Sequence, residues 1–374
     1  MDFDDVIVLV PGFLGFSRTG GFYYFADRVS STLRGALEAA KRRAIPVVPC
    51  CTLPTDRLAA RQEKLVSELA LMCDRIGNVR RLHLVGHSAG GVDAQLLTCE
   101  RPLQDSQWTS EANRVREKIK SVIGIAAPHY GTCLSNAPIA KLASQPLRQL
   151  VTDPVREVEV LPSIARQLWD MTRLLRYESD FQVTKLLVSR FQDSGRFLWE
   201  IIGHRGLIED LAPAAMTAIR PRCGKGNAFL RSFVTMTPTA QNADPFFRDL
   251  HELTANTSEA PPNAAVMKAA IVLNEHAREA IRSGAAIPAF DERTNDGVVN
   301  SVRQLVDPND PDELAGIVVA DHADVLGHYD RQDIFIQGKP LNIGLFHSGA
   351  GFGDDQFYAL YRRVAEILVS QVIP

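Results

Sequence analysis

The sequence has no surplus of charge of either sign. Its 374 residues carry 41 Lys and Arg against 44 Asp and Glu, a formal net charge of −3. That balance gives no electrostatic case for nucleic acid or an anionic membrane as partner. There is no basic arm, no zinc-finger spacing and no RNA-binding signature. No apolar run reaches the roughly 20 residues that a membrane-spanning helix needs, so no transmembrane segment is expected. No export signal opens the chain. Acidic residues come first and strand residues follow, which reads as soluble and cytoplasmic, or as secreted if a leader was removed. The six cysteines (Cys50, Cys51, Cys73, Cys99, Cys133, Cys223) include no Cys-x-x-Cys pair. That argues against a thiolate metal site, and they read mostly as small buried hydrophobes. No internal repeat and no low-complexity segment appears. With 45% hydrophobic and 23% charged residues, the chain reads as a globular protein: one large α/β domain with insertions, or two domains.

Against these absences stands one stretch, Leu82-His83-Leu84-Val85-Gly86-His87-Ser88-Ala89-Gly90-Gly91. The part before Gly86 alternates like a short buried strand, and Val92, Ala94, Leu96 and Leu97 read as a helix. Strand, Gly-x-Ser-x-Gly, helix is the context of a nucleophile elbow. The glycines fit a turn too sharp for flanking side chains. Ser88 is left at the apex, with a helix N-terminus behind it that favours a developing oxyanion.

The rest of the chain supplies the scaffold. Val6 to Val10 reads as a buried strand ending in Pro11-Gly12-Phe13-Leu14-Gly15-Phe16, either a plain strand-to-helix loop or a loop donating the Phe13 N–H. Phe22 to Ala40 has helical spacing, and Ala44 to Pro49 is a second strand. Pro54-Thr55-Asp56 then caps a helix with Leu58, Leu65, Leu69, Met72 and Ile76 on one face. This alternation is that of a doubly wound, mostly parallel sheet. Trp108 to Lys120 is polar, and Ser121 to Ala127 is the next strand. At its end His129 reads as a structural, loop-orienting residue. From about 134 to 228 the alternation stops. Amphipathic helical stretches carrying Trp169, Phe181, Phe191, Phe197 and Trp199 replace it, expected as an inserted helical cap (lid). The core is then 1–133 and 229–374, with a second helical stretch, 263–285, as an addition to the cap. Phe229 to Met236 and Gly316 to Ala320 read as returning strands. Phe357 to Leu368 is a closing amphipathic helix.

Two late stretches complete a set. Asn295-Asp296-Gly297 is a tight turn carrying an acid, and Asp321-His322-Ala323-Asp324 follows the last strand. Ser88, Asp296 and His322 run in the order Ser, acid, His. A serine needs an imidazole to take its proton, and the imidazole needs a carboxylate to orient it and to stabilise its cation. Two N–H donors, Phe13 and Ala89, are expected to hold the oxyanion. His328 and His347 are rivals to His322 without its position at a strand end. His87 beside the nucleophile reads as a supporting residue.

These blocks resemble, in the same order, those of the bacterial triacylglycerol lipases, of α/β-hydrolase fold. The blocks are Val10 to Phe16, Gly86 to Gly91, Ala127 to Thr132, Asn295 to Asn300, Asp321 to Asp324, and the helix opening with Phe357-Tyr358. Asp210-Leu211-Ala212-Pro213 is similar to a short motif of the same family. Pro11 stands where the family has histidine. Residues 51 to 80 hold no histidine, so the zinc-binding insertion of larger members is absent. The resemblance implies an ester or lipid substrate and a chemistry that needs no cofactor. It also offers Asp324 and Asp330 as ligands of a structural calcium, a hard ion suited to oxygen donors. It implies cleavage of carboxylic esters with medium- to long-chain or other apolar acyl groups. A short-chain carboxylesterase, a polyester hydrolase and an acyltransferase using the same triad are alternatives, and a non-catalytic binding module is an alternative of another class.

Overall fold

The computed structural model describes the chain except residues 1–2, 14–17, 20–21, 42–43, 105–106, 137–205, 221–222, 224–227, 239–242, 244, 256–264, 266–268, 270–280, 283–289, 308–309, 330–334, 337–338, 341–345, 347, 372 and 374. The expected cap thus lies largely outside the described residues, together with its five aromatics.

The elements, in chain order, are β1 (Asp5–Val10), β2 (Arg18–Thr19), β3 (Phe22–Tyr23), α1 (Asp27–Lys41), β4 (Val47–Pro49), α2 (Leu58–Ile76), β5 (Arg81–His87), α3 (Ala89–Leu96), α4 (Ser110–Arg116) and β6 (Ile119–Ile125). Then come α5 (Gly206–Asp210), α6 (Pro213–Ile219), β7 (Phe229–Met236), α7 (Pro245–Thr254), β8 (Leu314–Val319), β9 (Phe335–Ile336), β10 (Lys339–Pro340) and α8 (Asp354–Gln371). Among the described residues six strands form one parallel sheet, ordered β4-β1-β5-β6-β7-β8. The chain steps outward from β1 to β4, then crosses back to β5 and continues the other way. The order therefore reverses beside β1 and β5, and the crevice at such a reversal, at the carboxyl ends of the strands, is where sites form in open α/β sheets.

β1 and β8 are buried along their whole length, which is why they read as nearly unbroken apolar runs. Ile7 and Leu9 of β1 pack with Val29, Leu33 and Leu37 of α1 and with Phe357, Leu360 and Val364 of α8. Val6, Val8 and Val10 face the other way, onto Leu65 and Leu69 of α2, Ala94 of α3 and Val115 of α4.

Some elements differ from the sequence reading. Phe22 begins no helix: Phe22 and Tyr23 pair antiparallel with Arg18 and Thr19, and α1 starts at Asp27, an acid in the first turn where the positive end of the helix dipole favours it. Residue 281, placed in a helical stretch from the sequence, forms a parallel bridge to Val318 at the β8 edge. The rest of that stretch lies almost wholly outside the described residues. Cys99 and Cys223 are joined in a disulfide, where the sequence reads as mostly buried thiols with a disulfide as the lesser alternative.

The segment holding α5 and α6 is fastened to the elements around the sheet at several points. Asp210 accepts the Leu58 N–H (2.8 Å) and so caps α2, in place of the local residues 54–56. It also pairs with Arg57 (2.9 Å). Leu207 donates its N–H to Thr55 O (2.9 Å), and Thr132 donates to Leu211 O (2.9 Å). Leu207, Leu211 and Met216 share an apolar cluster with Leu58, Ala89 and Val92, against which Phe13 packs. The Asp210-Leu211-Ala212-Pro213 motif thus ties this segment to α2 and to the 127–132 loop.

At the amino-terminal edge of the sheet, Asp5 accepts from Arg81 (2.5 and 2.8 Å) and sits 3.1 Å from His83 Nε2, whose Nδ1 meets Ser121 Oγ at 2.9 Å. Burial alone would raise the Asp5 carboxyl, but the Arg81 and His83 hydrogen bonds and charges outweigh it and hold it well below its ordinary value. A carboxyl depressed in the folded state stabilises the protein above its unfolded pKa of about 3.9, and the gain is lost as pH falls below that value. The stability gap between the native chain and Asp5→Asn, measured by urea unfolding, is therefore expected to be constant from pH 7 to about pH 5 and to narrow towards pH 3. A gap independent of pH would contradict this account.

Candidate active site

β5 ends at His87, and the backbone turns at Ser88 with φ 54° and ψ −133°. A non-glycine residue held at positive φ carries strain of about 1–3 kcal/mol, which the packing around it must sustain. The packing is close. A Cβ on Gly90 would lie 2.2 Å from the Val10 carbonyl oxygen, so only glycine lets α3 begin against the end of β1. The Ala89 N–H opens α3 directly behind Ser88.

The loop after β1 is pinned from behind. Arg61 Nη2 donates to Gly12 O (3.1 Å) and Pro11 O (3.3 Å), and Thr52 Oγ1 donates to Pro11 O (3.3 Å). A trans peptide unit points its C=O and N–H in opposite directions. Anchoring Gly12 O on Arg61 therefore turns the Phe13 N–H away from Arg61. On the front side, a Cβ on Gly12 would sit 2.7 Å from the Ser88 Cβ and 2.5 Å from the Tyr24 hydroxyl. Arg61 is itself held by Asp93 of α3 (2.6 and 3.0 Å), and both side chains are wholly buried. Burial pushes the Asp93 carboxyl upward against the opposing pull of Arg61. Neither residue was singled out in the sequence, although a signal existed: Arg61 falls on the apolar stripe of α2, three residues after Leu58 and four before Leu65.

Asp296 and His322 are brought together. His322 Nδ1 lies 2.8 Å from Asp296 Oδ2. Asp296 is buried. Its Oδ1 accepts the N–H groups of Val298 (3.0 Å) and Val299 (2.7 Å), and its Oδ2 also accepts from Thr235 Oγ1 (2.6 Å) and Gln304 Nε2 (3.3 Å). Every oxygen lone pair is engaged by a donor, so the carboxylate is fixed in orientation. His322 donates its backbone N–H to Asp296 O (3.0 Å). Its carbonyl accepts from His87 Nε2 (2.8 Å). The loop carrying it is tightened by Asp321, whose Oδ1 accepts from the N–H groups of Ala323 and Asp324. Burial pushes the Asp321 carboxyl up to about 6. Ser88 precedes α3 beside His87, whose ring centroid is 4.6 Å from that of His322. No Ser88–His322 side-chain hydrogen bond is formed among the described residues. Such bonds are often long without substrate and tighten when it binds.

The other histidines are placed elsewhere. His129 is buried with Nδ1 on Gln95 Oε1 (2.8 Å), tying the 127–132 loop to α3. His328 Nε2 meets the Tyr24 carbonyl at 3.1 Å. His347 lies outside the described residues, as does Asp330. Asp324 spends one carboxylate oxygen on the Asp321 N–H (2.9 Å) within its own loop. Among the described residues no group of three or more His, Cys, Asp and Glu is placed to hold a metal ion. No helix among them is long and apolar enough to cross a membrane.

No protein-family model and no curated protein sequence matches this chain. Solved structures do. EstA from Clostridium botulinum is 16% identical with a TM-score of 0.52, covering 100% of this chain and 89% of its own. Lipase 1 from Pelosinus fermentans is 17% identical with a TM-score of 0.49, covering 100% of both chains. The Staphylococcus hyicus lipase is 14% identical with a TM-score of 0.47, covering 98% of this chain and 96% of its own. With EstA the likeness is one of fold. Together with the parallel sheet and the turn at Ser88, it makes this an α/β-hydrolase fold.

Proposed function

We propose that the chain hydrolyses carboxylic esters through an acyl-enzyme. The observation that carries the reading is the 2.8 Å contact between His322 Nδ1 and Asp296 Oδ2, set on the same sheet edge as a serine in strained backbone. Asp296 holds the proton on Nδ1, which leaves Nε2 bare as a base. Ser88 Oγ attacks the ester carbonyl carbon while Nε2 takes its proton. The Phe13 and Ala89 N–H groups receive the oxyanion. Collapse expels the alcohol, which takes its proton from His322. Water then repeats the sequence on the acyl-serine. No metal or cofactor takes part in these steps. Calcium on Asp324 and Asp330 would be structural only.

The acyl preference rests on the sequence resemblance and on the aromatic residues of the 134–228 insertion. It is tested with p-nitrophenyl esters from acetyl to palmitoyl. A rate peaking at medium or long chains is the expected result. A peak at acetyl or butyryl would keep the triad and make the protein a short-chain esterase. Product analysis with added alcohol separates an acyltransferase, which would yield a new ester in place of acid.

A further inference from the structure

Tyr24 lies 63 residues from His87 in sequence, yet its hydroxyl meets His87 Nδ1 at 2.8 Å, in buried surroundings. The other ring nitrogen, Nε2, lies 2.8 Å from the carbonyl oxygen of His322. A carbonyl can only accept, so Nε2 carries the proton. In the neutral ring Nδ1 is then bare and must accept the Tyr24 O–H. One tautomer satisfies both bonds. The Tyr24 hydroxyl also lies against the loop after β1, where a Cβ on Gly12 would come within 2.5 Å of it. The chain of contacts therefore runs from the loop after β1, through Tyr24 and His87, to the backbone of His322.

We infer that Tyr24 and His87 are positioning residues that lock the oxyanion loop to the general base and keep the ring beside that base uncharged. The inference rests on the ester-hydrolase reading above. Neutrality is the functional point. When His322 takes the Ser88 proton it becomes a cation with the His87 ring centroid only 4.6 Å from its own. A second positive charge at His87 would oppose that step. Burial, then the charge of His322 and more weakly that of His328, hold His87 well below the ordinary histidine range, partly offset by its bond to the His322 carbonyl. The Arg61–Asp93 pair acts on Tyr24 from behind. Tyr24 is itself kept protonated, its phenol raised chiefly by burial, so it remains a donor across the working pH range.

The test is Tyr24→Phe, which removes the donor to Nδ1 and little else. With the bare nitrogen open to a proton, the acid limb of kcat/KM is expected to move up by about half a pH unit or more, and kcat to fall roughly 10-fold with KM nearly unchanged. His87→Gln cannot take a proton but its amide can still donate to the His322 carbonyl. In the Tyr24→Phe/His87→Gln double variant the pH shift is therefore expected to vanish. A structural role alone would lower activity without moving the limb. Ring ¹⁵N spectra give a readout independent of catalysis: native His87 stays in the Nε2–H tautomer through the ordinary histidine range, and titrates in Tyr24→Phe. An unmoved limb in Tyr24→Phe, a shift that persists in the double variant, or a native His87 that titrates normally would each overturn the inference while hydrolysis by the native chain stands. Absence of hydrolysis by the native chain would overturn the underlying reading as well.

Discussion

Asp296→Asn is expected to lower kcat by about 10⁴-fold while the fold survives. The surroundings dictate how the new amide sits. Two backbone N–H groups, from Val298 and Val299, point at one oxygen position, so the amide oxygen must take that place. The amide NH₂ is then turned towards His322. An N–H facing Nδ1 forces that nitrogen to accept, and the ring proton moves to Nε2. Nε2 can then no longer take the proton of Ser88. The check is steady-state kinetics beside circular dichroism. A loss below about 10-fold in a folded variant would mean that Asp296 does not set the tautomer.

The second large effect is expected at Arg61, and it divides into two parts. Arg61→Met leaves Asp93 buried without its cation, which costs about 3–5 kcal/mol of stability. Adding Asp93→Leu removes the orphaned charge, and replacing a buried ion pair by apolar side chains is often close to neutral. Stability is therefore expected to return in the double variant. Activity is not. The carbonyls of Pro11 and Gly12 still lack the Arg61 donors, so the Phe13 N–H is no longer aimed, and kcat is expected to stay about 10²-fold down. Activity that recovers together with stability would reduce Arg61 to a purely structural residue.

Much of this arrangement could be read in advance, for reasons that differ from element to element. The strand at Asp5–Val10 was readable because a strand buried along its whole length is a nearly continuous apolar run, which Pro11 ends. The elbow was readable because close backbone packing at Gly90 admits only one residue type. Asp296 stood out as an acid on a tight Asn-Asp-Gly turn, and His322 because a short polar stretch follows an apolar strand. What escaped shares one property, dependence on partners distant in sequence. Residues 54–56 looked like the cap of α2, yet the cap is Asp210, 152 residues beyond Leu58. The partner of Cys99 is 124 residues away. Tyr24 seemed one more aromatic at helical spacing, but it precedes α1 and turns onto His87. Arg61 was hidden in a helix whose apolar face was judged as a whole, although a cation on that face needs a buried counter-charge. α7 was not read as a helix, although its Phe247 packs beside Gly297, next to Asp296.

The most direct test is to treat the native chain with a fluorophosphonate and locate the adduct by mass spectrometry while following ester hydrolysis. The account requires one adduct per chain, on Ser88, with hydrolysis lost in step with labelling and absent from Ser88→Ala. Hydrolysis by Ser88→Ala at the native rate, or a native chain that cleaves esters with Ser88 unlabelled, would contradict it.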